Sequence, residues 1–317
     1  MTPPFARHTP VLCDRVFALL APALTTPGCV LVDATVGLGG HADYALRTFP
    51  LVRVVGIDRD PSALSAVRSR LADWSGRVQL VHAVYDEIPH VLADLGITQA
   101  DGILFDLGVS SMQLDDPDRG FAYSTDSPLD MRMNPEDTTT AAHIVNEYSE
   151  KDLIRVLREF GEERFASRIA RAIVRSRSAK PITGSSQLVS IIRDSIPAPA
   201  RRQGGNPAKR TFQALRIEVN GELVALRRAI PAALGVLGIG GRMVVLSYQS
   251  LEDRIVKNAF REATDSRVPD DLPFMPAGSE ASYRLVTRGS EKASDTEIAS
   301  NSRAASVRLR AIERVAA

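Results

Sequence analysis

Three aspartates each close an apolar run: Asp33 after Cys29-Val-Leu-Val, Asp58 after Val52-Arg-Val-Val-Gly-Ile, and Asp106 after Gly102-Ile-Leu-Phe. The loop Gly37-Leu-Gly-Gly-His-Ala42 follows the first of them. Apolar runs of this kind read as buried parallel strands, so three strand ends present carboxylates to one crevice, where open α/β sheets take their ligands. Glycines at a strand-to-helix turn let the backbone approach a ligand, and Asp58 at the end of the next strand suits the hydroxyls of a ribose. The same letters satisfy the dinucleotide pattern G-x-G-x-x-G/A, and a tight turn with no ligand would also use them. Asp33 tilts the choice. A carboxylate is unwelcome beside a pyrophosphate but pairs with an ammonium, and a sulfonium also suits an acidic rim. S-adenosyl-L-methionine therefore fits better than a nicotinamide or flavin dinucleotide.

An activated methyl donor leaves the protein two tasks, orientation and a path for the proton released from the nucleophile. The segment Asp106-Leu-Gly-Val-Ser-Ser-Met-Gln113 follows the fourth strand. An acceptor here can draw on an exocyclic N–H so that the amine lone pair attacks. Asp106 or the neighbouring carbonyls have that chemistry, and Asp106 could equally serve the cofactor alone. A base must leave its stack to reach such a pocket. Phe121, Tyr123, Phe212 and Tyr248 border the inferred crevice, although each also reads as an ordinary core residue. Arg164, Arg168, Arg171 and Arg175 recur at helical spacing, with Phe165, Ile169 and Ile173 on another face. With Arg201, Arg202, Lys209 and Arg210 they form a candidate phosphate-binding stripe, and a solvated helix face is the bland alternative. Residues 151–216 hold 15 Lys/Arg against 5 Asp/Glu, a net of +10 within a chain whose net charge is +1. That asymmetry points to a polyanion.

The elements that must position these groups alternate. A helix over 11–20 precedes strand 29–33, a helix to 48, strand 52–58, and a helix to 74 that starts at Asp60-Pro61 as N-cap and first turn. Strand 78–81, helix 87–95 and strand 102–106 continue the pattern, which specifies a parallel sheet with helices on both faces. Residues 115–137 are then acidic and loop-like, and 149–195 are helical from a capping box at Ser149 and Asp152. Residues 196–208 read as a mobile loop, 211–234 as one long helix, and 242–247 as another interior strand. The polar stretch 262–280 reads as disordered, with closing strands near 282–288 and 306–312. This is an α/β domain carrying a helical insertion. Its 317 residues, 44% hydrophobic and 24% charged, have an ordinary globular composition. Two cysteines, Cys13 and Cys29, make neither a disulfide framework nor a four-thiolate zinc site, and they suit a reducing cytosol. No secretory signal opens the chain, and Pro231 and several glycines break the apolar stretch 229–246, so no membrane span is expected.

Together these segments resemble the RsmH/MraW family, bacterial methyltransferases acting on N4 of a cytosine in the decoding region of small-subunit ribosomal RNA. The resemblance runs from His8-Thr-Pro-Val11 to the segment 301–310. It is carried by Gly39-Gly-His41, Asp106-Leu-Gly-Val-Ser-Ser-Met-Gln113, Arg119-Gly-Phe121, Leu129-Asp-Met-Arg-Met133 and Gly161-Glu-Glu-Arg164. Arg210-Thr-Phe-Gln-Ala-Leu-Arg-Ile-Glu-Val-Asn220 and Ser250-Leu-Glu-Asp-Arg-Ile-Val-Lys257 complete the set. The resemblance implies a Rossmann-like class I methyltransferase sheet with an inserted all-helical domain, divided as 1–114, 115–213 and 214–317. It implies that S-adenosyl-L-methionine is bound at Gly39, Gly40, His41, Asp58, Tyr85, Asp106 and Gln113, with Asp106 at the reaction site and no metal. The implied partner is small-subunit rRNA within the assembled subunit, in the cytoplasm and away from membranes, with monomer or homodimer left open. The chain departs from the family where Asn206 and Gln249 stand for usual histidines, so neither position supplies a general base. Ser302 stands for a usual proline.

Overall fold

A computed structural model describes residues 10–201, 206–265 and 281–316. The chain divides into two compact units, Met1–Gly108 with Val224–Ala317, and Val109–Leu223. The first unit is built on a seven-stranded sheet in the order β3-β2-β1-β4-β5-β7-β6. Its strands are β1 (Val30–Asp33), β2 (Arg53–Asp58), β3 (Val78–His82), β4 (Ala100–Asp106), β5 (Leu237–Ser247), β6 (Tyr283–Leu285) and β7 (Arg308–Arg314). The first five run parallel, while β7 pairs antiparallel with both β5 and β6. The first strand therefore has β2 on one side and β4 on the other, and the connections diverge there. That is the switch point at which such sheets bind ligands.

Why the central strands β1, β4 and β5 are largely apolar follows from burial on both faces of the sheet. Leu31, Val54, Leu104 and Val244 point into one apolar layer with Val16 and Phe17 of helix α1 (Cys13–Leu20), Ala45 of α2 (Gly40–Thr48) and Val67 of α3 (Pro61–Arg70). Val32, Val55, Ile103, Phe105 and Val245 point into the other with Val91 of α4 (Ile88–Asp94). Asp60 caps α3 by accepting from the Ser62 amide, with Pro61 in the first turn, as its residue types require.

The second unit is helical: α5 (Ser111–Asp115), α6 (Ala141–Glu147), α7 (Glu150–Glu159), α8 (Ala166–Ala179), α9 (Ser185–Ser195), α10 (Ala198–Arg201) and α11 (Lys209–Asn220). Ile144, Leu157, Ile169, Ile173, Leu188 and Leu215 share its core. Ser149 caps α7 by accepting from the Asp152 amide, and its hydroxyl donates to the Asp152 carboxylate at 2.6 Å. The acidic segment 115–137 is a pinned loop rather than a slack one. Asn220 accepts from the Met133 amide at 2.7 Å and donates to the Met131 carbonyl at 2.7 Å, which fixes Met131 at a φ of +63°.

One expected helix is two. Instead of running over 211–234, the chain ends α11 at Asn220, turns through Gly221 at a φ of +60°, and starts α12 (Glu222–Val236). Glycine takes this left-handed C-terminal position without a Cβ penalty. The chain closes through α13 (Ser250–Thr264) and α14 (Asp295–Ser300). The polar stretch read from 262 is still helical to Thr264, and the rest of it, 266–280, lies outside the described residues. So do residues 202–205 of the loop read as mobile, the side chain of Arg201, and the His8 end of the first motif.

Candidate active site

At the carboxyl ends of β1, β2 and β4 the backbone is tied together by short bonds. The Thr35 hydroxyl accepts from the Asp106 amide at 2.7 Å, and the Ala34 amide donates to Leu104 O at 2.9 Å. Asp58 accepts from the Gly37 amide at 2.8 Å and from the Asp60 amide at 2.9 Å, so it shapes the glycine loop. Each of its oxygens keeps further lone pairs for a hydroxyl donor. Asp33 is almost wholly buried and accepts from the Thr35 amide at 3.3 Å.

The two glycines at the start of α2 answer to packing. Gly39 lies in the left-handed region at a φ of +73°, and a Cβ there would overlap Val67 Cγ2 of α3. A Cβ on Gly40 would come within 2.9 Å of Pro10. Their bareness thus lets α3 and residue 10 close on the loop, where the sequence suggested an approach to ligand. Gly37, at a φ of +49°, has only the Thr35 carbonyl within 4 Å of its notional Cβ, so its face of the loop is open.

Burial sets the electrostatics. Loss of water pushes the Asp33 carboxyl up to about 7, opposed by the Thr35 amide and assisted by the charges of Asp106 and Asp58. Burial likewise pushes Asp58 up to about 6, against the donation from the Asp60 and Gly37 amides. Such carboxylates gain most from an arriving cation. An ammonium and a sulfonium meet that need, and a pyrophosphate would worsen the repulsion. On donor chemistry the residues present fit S-adenosyl-L-methionine.

Asp106 keeps 26% of its side chain exposed, in contrast to the buried Asp33. Tyr248, on the turn between β5 and α13, donates its hydroxyl to Asp106 Oδ1 at 2.7 Å. His41 Nδ1 lies 3.6 Å from Asp106 Oδ2, and His41 Nε2 lies 3.0 Å from the Val11 carbonyl. Tyr248, read from sequence as a possible stacking ring, is instead a hydrogen-bond partner of the acid. No sequence signal links two residues so far apart. Tyr85 sits in a 3-10 turn after β3 with its ring edge-on to Phe105 at 5.8 Å.

Gln113 belongs to the helical unit, where it closes a capping box: Ser110 N donates to its Oε1 at 3.0 Å and Ser110 Oγ accepts from its amide at 3.2 Å. In the same unit Phe121 and Phe212 are buried, and Tyr123 meets Phe212 edge-on at 5.7 Å. Arg168, Arg171 and Arg175 lie exposed along α8, and Arg171 lies 3.7 Å from Glu150. Arg164 precedes that helix and covers the Phe165 ring at 5.2 Å, so it is not part of a four-residue helical stripe. Lys209 and Arg210 are exposed at the start of α11. Both departures from family histidines sit at helix starts. Asn206 accepts from the Ala208 amide at 2.9 Å, and Gln249 donates to Glu252 at 2.8 Å in the first turn of α13. Among the described residues no cluster of His, Cys, Asp and Glu could hold a metal ion, and no helix is long and apolar enough to cross a membrane.

The model of the MraW methylase family matches residues 5–315. The chain is 63% identical over 307 residues to a protein from Nocardioides sp. called Ribosomal RNA small subunit methyltransferase H, covering 97% of this chain and 96% of that one. It is 58% identical over 313 residues to a protein of the same name from Mycolicibacterium smegmatis, with 97% and 84% covered. Among solved structures, a rRNA methylase from Streptococcus thermophilus matches with a TM-score of 0.41 and 12% identity, covering 96% of this chain and 93% of that one.

Proposed function

The chain belongs to the MraW methylase family, and from that premise we propose how its residues carry out the family's reaction. The protein is an S-adenosyl-L-methionine-dependent methyltransferase acting on the exocyclic N4 of a cytosine in the decoding region of 16S ribosomal RNA. The observation that carries the assignment of the site is the convergence of Asp33, Asp58 and Asp106 at neighbouring strand ends around the Gly37–Gly40 loop.

When bound, the cofactor supplies a methyl group on a sulfonium, already activated for transfer. The residues then divide the remaining work. Asp58 holds the ribose hydroxyls with the lone pairs that the Gly37 and Asp60 amides leave free. Asp33, short of partners and raised by burial, answers the ammonium. The Gly37–Gly40 loop at the start of α2 approaches the methionine end, and Tyr85 lies against the adenine. Asp106, partly open, accepts an N–H of the target amine and so orients its lone pair. Gln113 is the remaining cofactor-binding residue that the family motif implies. That unit is the domain that grips rRNA, through the exposed arginines of α8 and the basic start of α11. We place the substrate in the assembled small subunit and the enzyme in the cytoplasm.

The test is methyl transfer from labelled S-adenosyl-L-methionine to small subunits lacking the modification, with digested nucleosides read by mass spectrometry. N4-methylcytidine is expected. A different methylated nucleoside would remove the base assignment. Cofactor binding without any transfer would favour an assembly factor, and binding of NAD in its place an oxidoreductase.

A further inference from the structure

Asp106 is bounded by two side chains, Tyr248 and His41, with no part yet in the proton transfer. The Tyr248 hydroxyl occupies Oδ1 at 2.7 Å, and His41 Nδ1 faces Oδ2 at 3.6 Å. The second imidazole nitrogen, Nε2, meets the Val11 carbonyl at 3.0 Å. A carbonyl only accepts, so Nε2 carries the ring proton, and in the neutral ring Nδ1 is a bare lone pair. Nδ1 and Oδ2 are then two acceptors facing each other with no hydrogen between them. That gap is a seat for one proton.

The proton cannot come from Tyr248. Its phenol already points at Oδ1, and burial together with the nearby Asp106 charge pushes its ionisation well above the usual tyrosine range. The other ionisable groups around the pair come from every packed element: Cys13 and Asp14 of α1, Asp33 at the end of β1, Glu252 of α13 and Glu297 of α14. Cys13 stays a neutral thiol, pushed to about 12 by burial and these acids. His41 is itself 6% exposed and packs 6.3 Å from the Phe17 ring, so both ring nitrogens face protein atoms.

Resting on the methyltransferase reading, we propose that His41, acting through Asp106, receives the proton released by the target amine, and that Tyr248 is a positioning residue that ties up Oδ1 and leaves Oδ2 for the transfer. The amine nitrogen forms its bond to the methyl carbon as the carbon–sulfur bond breaks, with sulfur keeping that electron pair. The nitrogen then gives one N–H proton to Oδ2, and the proton moves on to Nδ1. The products are the methylated amine, a neutral thioether and an imidazolium beside a carboxylate. The positive charge lost at sulfur reappears on the ring, and the proton returns to solvent through Asp106, whose side chain is 26% exposed.

In His41→Gln, kcat on unmodified small subunits at saturating S-adenosyl-L-methionine should fall about 100-fold, a loss beyond any change in cofactor affinity, which calorimetry with S-adenosyl-L-homocysteine reads separately. The rise of kcat with pH in the parent should flatten. In Tyr248→Phe the carboxylate loses the 2.7 Å donor at Oδ1 and is free to turn, so kcat should fall while KM for the cofactor holds. A third measurement needs no variant: nitrogen-15 NMR of the cofactor-free parent at pH 8 should show His41 protonated at Nε2 and bare at Nδ1. A ring protonated at both nitrogens there, or at Nδ1 alone, would overturn the proposal. So would parental kcat and pH profile in His41→Gln, or a loss confined to cofactor affinity. Failure of the parent to make N4-methylcytidine would instead remove the functional reading, while the tautomer would still judge the proton seat.

Discussion

Replacing Gly39 by alanine separates packing from ligand approach as the reason for the glycine loop. Gly39 has a φ of +73°, and its notional Cβ overlaps Val67 Cγ2, with Leu71 Cδ1 at 3.6 Å. A left-handed backbone costs an alanine about 1–2 kcal/mol, and a methyl forced into a filled core costs a further ~1–3 kcal/mol. Val67 is fully buried and β-branched, so it has no free rotamer into which to swing. Gly39→Ala should therefore lose about 2–5 kcal/mol, or roughly 5–15 °C in thermal midpoint. Gly37→Ala is the control. At a φ of +49° with only the Thr35 carbonyl at 3.8 Å, it should show the backbone cost alone. Val67→Ala leaves a cavity by itself, yet in the Gly39→Ala background it makes room, so the cycle should show coupling of about 1–3 kcal/mol in the restoring direction. Equal midpoints for Gly39→Ala and Gly37→Ala, or strict additivity in the cycle, would refute the reasoning. So would a stable Gly39→Ala that has lost only cofactor binding.

Other positions make separate demands. Burial holds the Asp33 proton up to about 7, against about 4 for an unfolded aspartate. Its contribution to stability is thus full below pH 4 and is lost as pH rises through 7. Asp33→Asn should match the parent at pH 4 and exceed it by up to about 4 kcal/mol above pH 7; a gap independent of pH in urea titrations would contradict this. Asn220→Ala leaves the Met133 amide and the Met131 carbonyl unpaired in the interior, at about 1–3 kcal/mol each, so hydrogen exchange should accelerate across 129–147. Unchanged protection there would show that the loop holds itself. Arg168→Gln with Arg175→Gln should weaken rRNA binding and lower the salt slope by about one or two, roughly one for each phosphate no longer neutralised, with cofactor affinity untouched; an unaltered slope would make α8 a solvated face.

Much of the first unit was legible because its signals are local. Apolar runs ending in Asp33, Asp58 and Asp106, and the Asp60-Pro61 helix start, depend on residues close in the chain, and the structure places β1, β2, β4 and α3 accordingly. The break at Gly221 was hidden because both flanking segments are good helix, and only the φ of +60° divides them. The acidic segment was legible as a loop, but not how it is pinned, because that comes from Asn220, many residues downstream. Arg164 matched the arginine spacing, but α8 begins only at Ala166.

By itself the sequence determined the alternation of strands and helices, the acids at the strand ends and the basic charge of residues 151–216, because periodicity, capping and charge are properties of neighbouring residues. Only the tertiary structure decided what those residues do to one another. Gly39 is bare because Val67 packs over it, Tyr248 is a donor because β5 lies beside β4, and His41 is set between the Val11 carbonyl and Asp106. The physical reason is the short range of these effects. Steric overlap and hydrogen bonding act within a few ångströms, and the chain brings such partners together only once the sheet has closed.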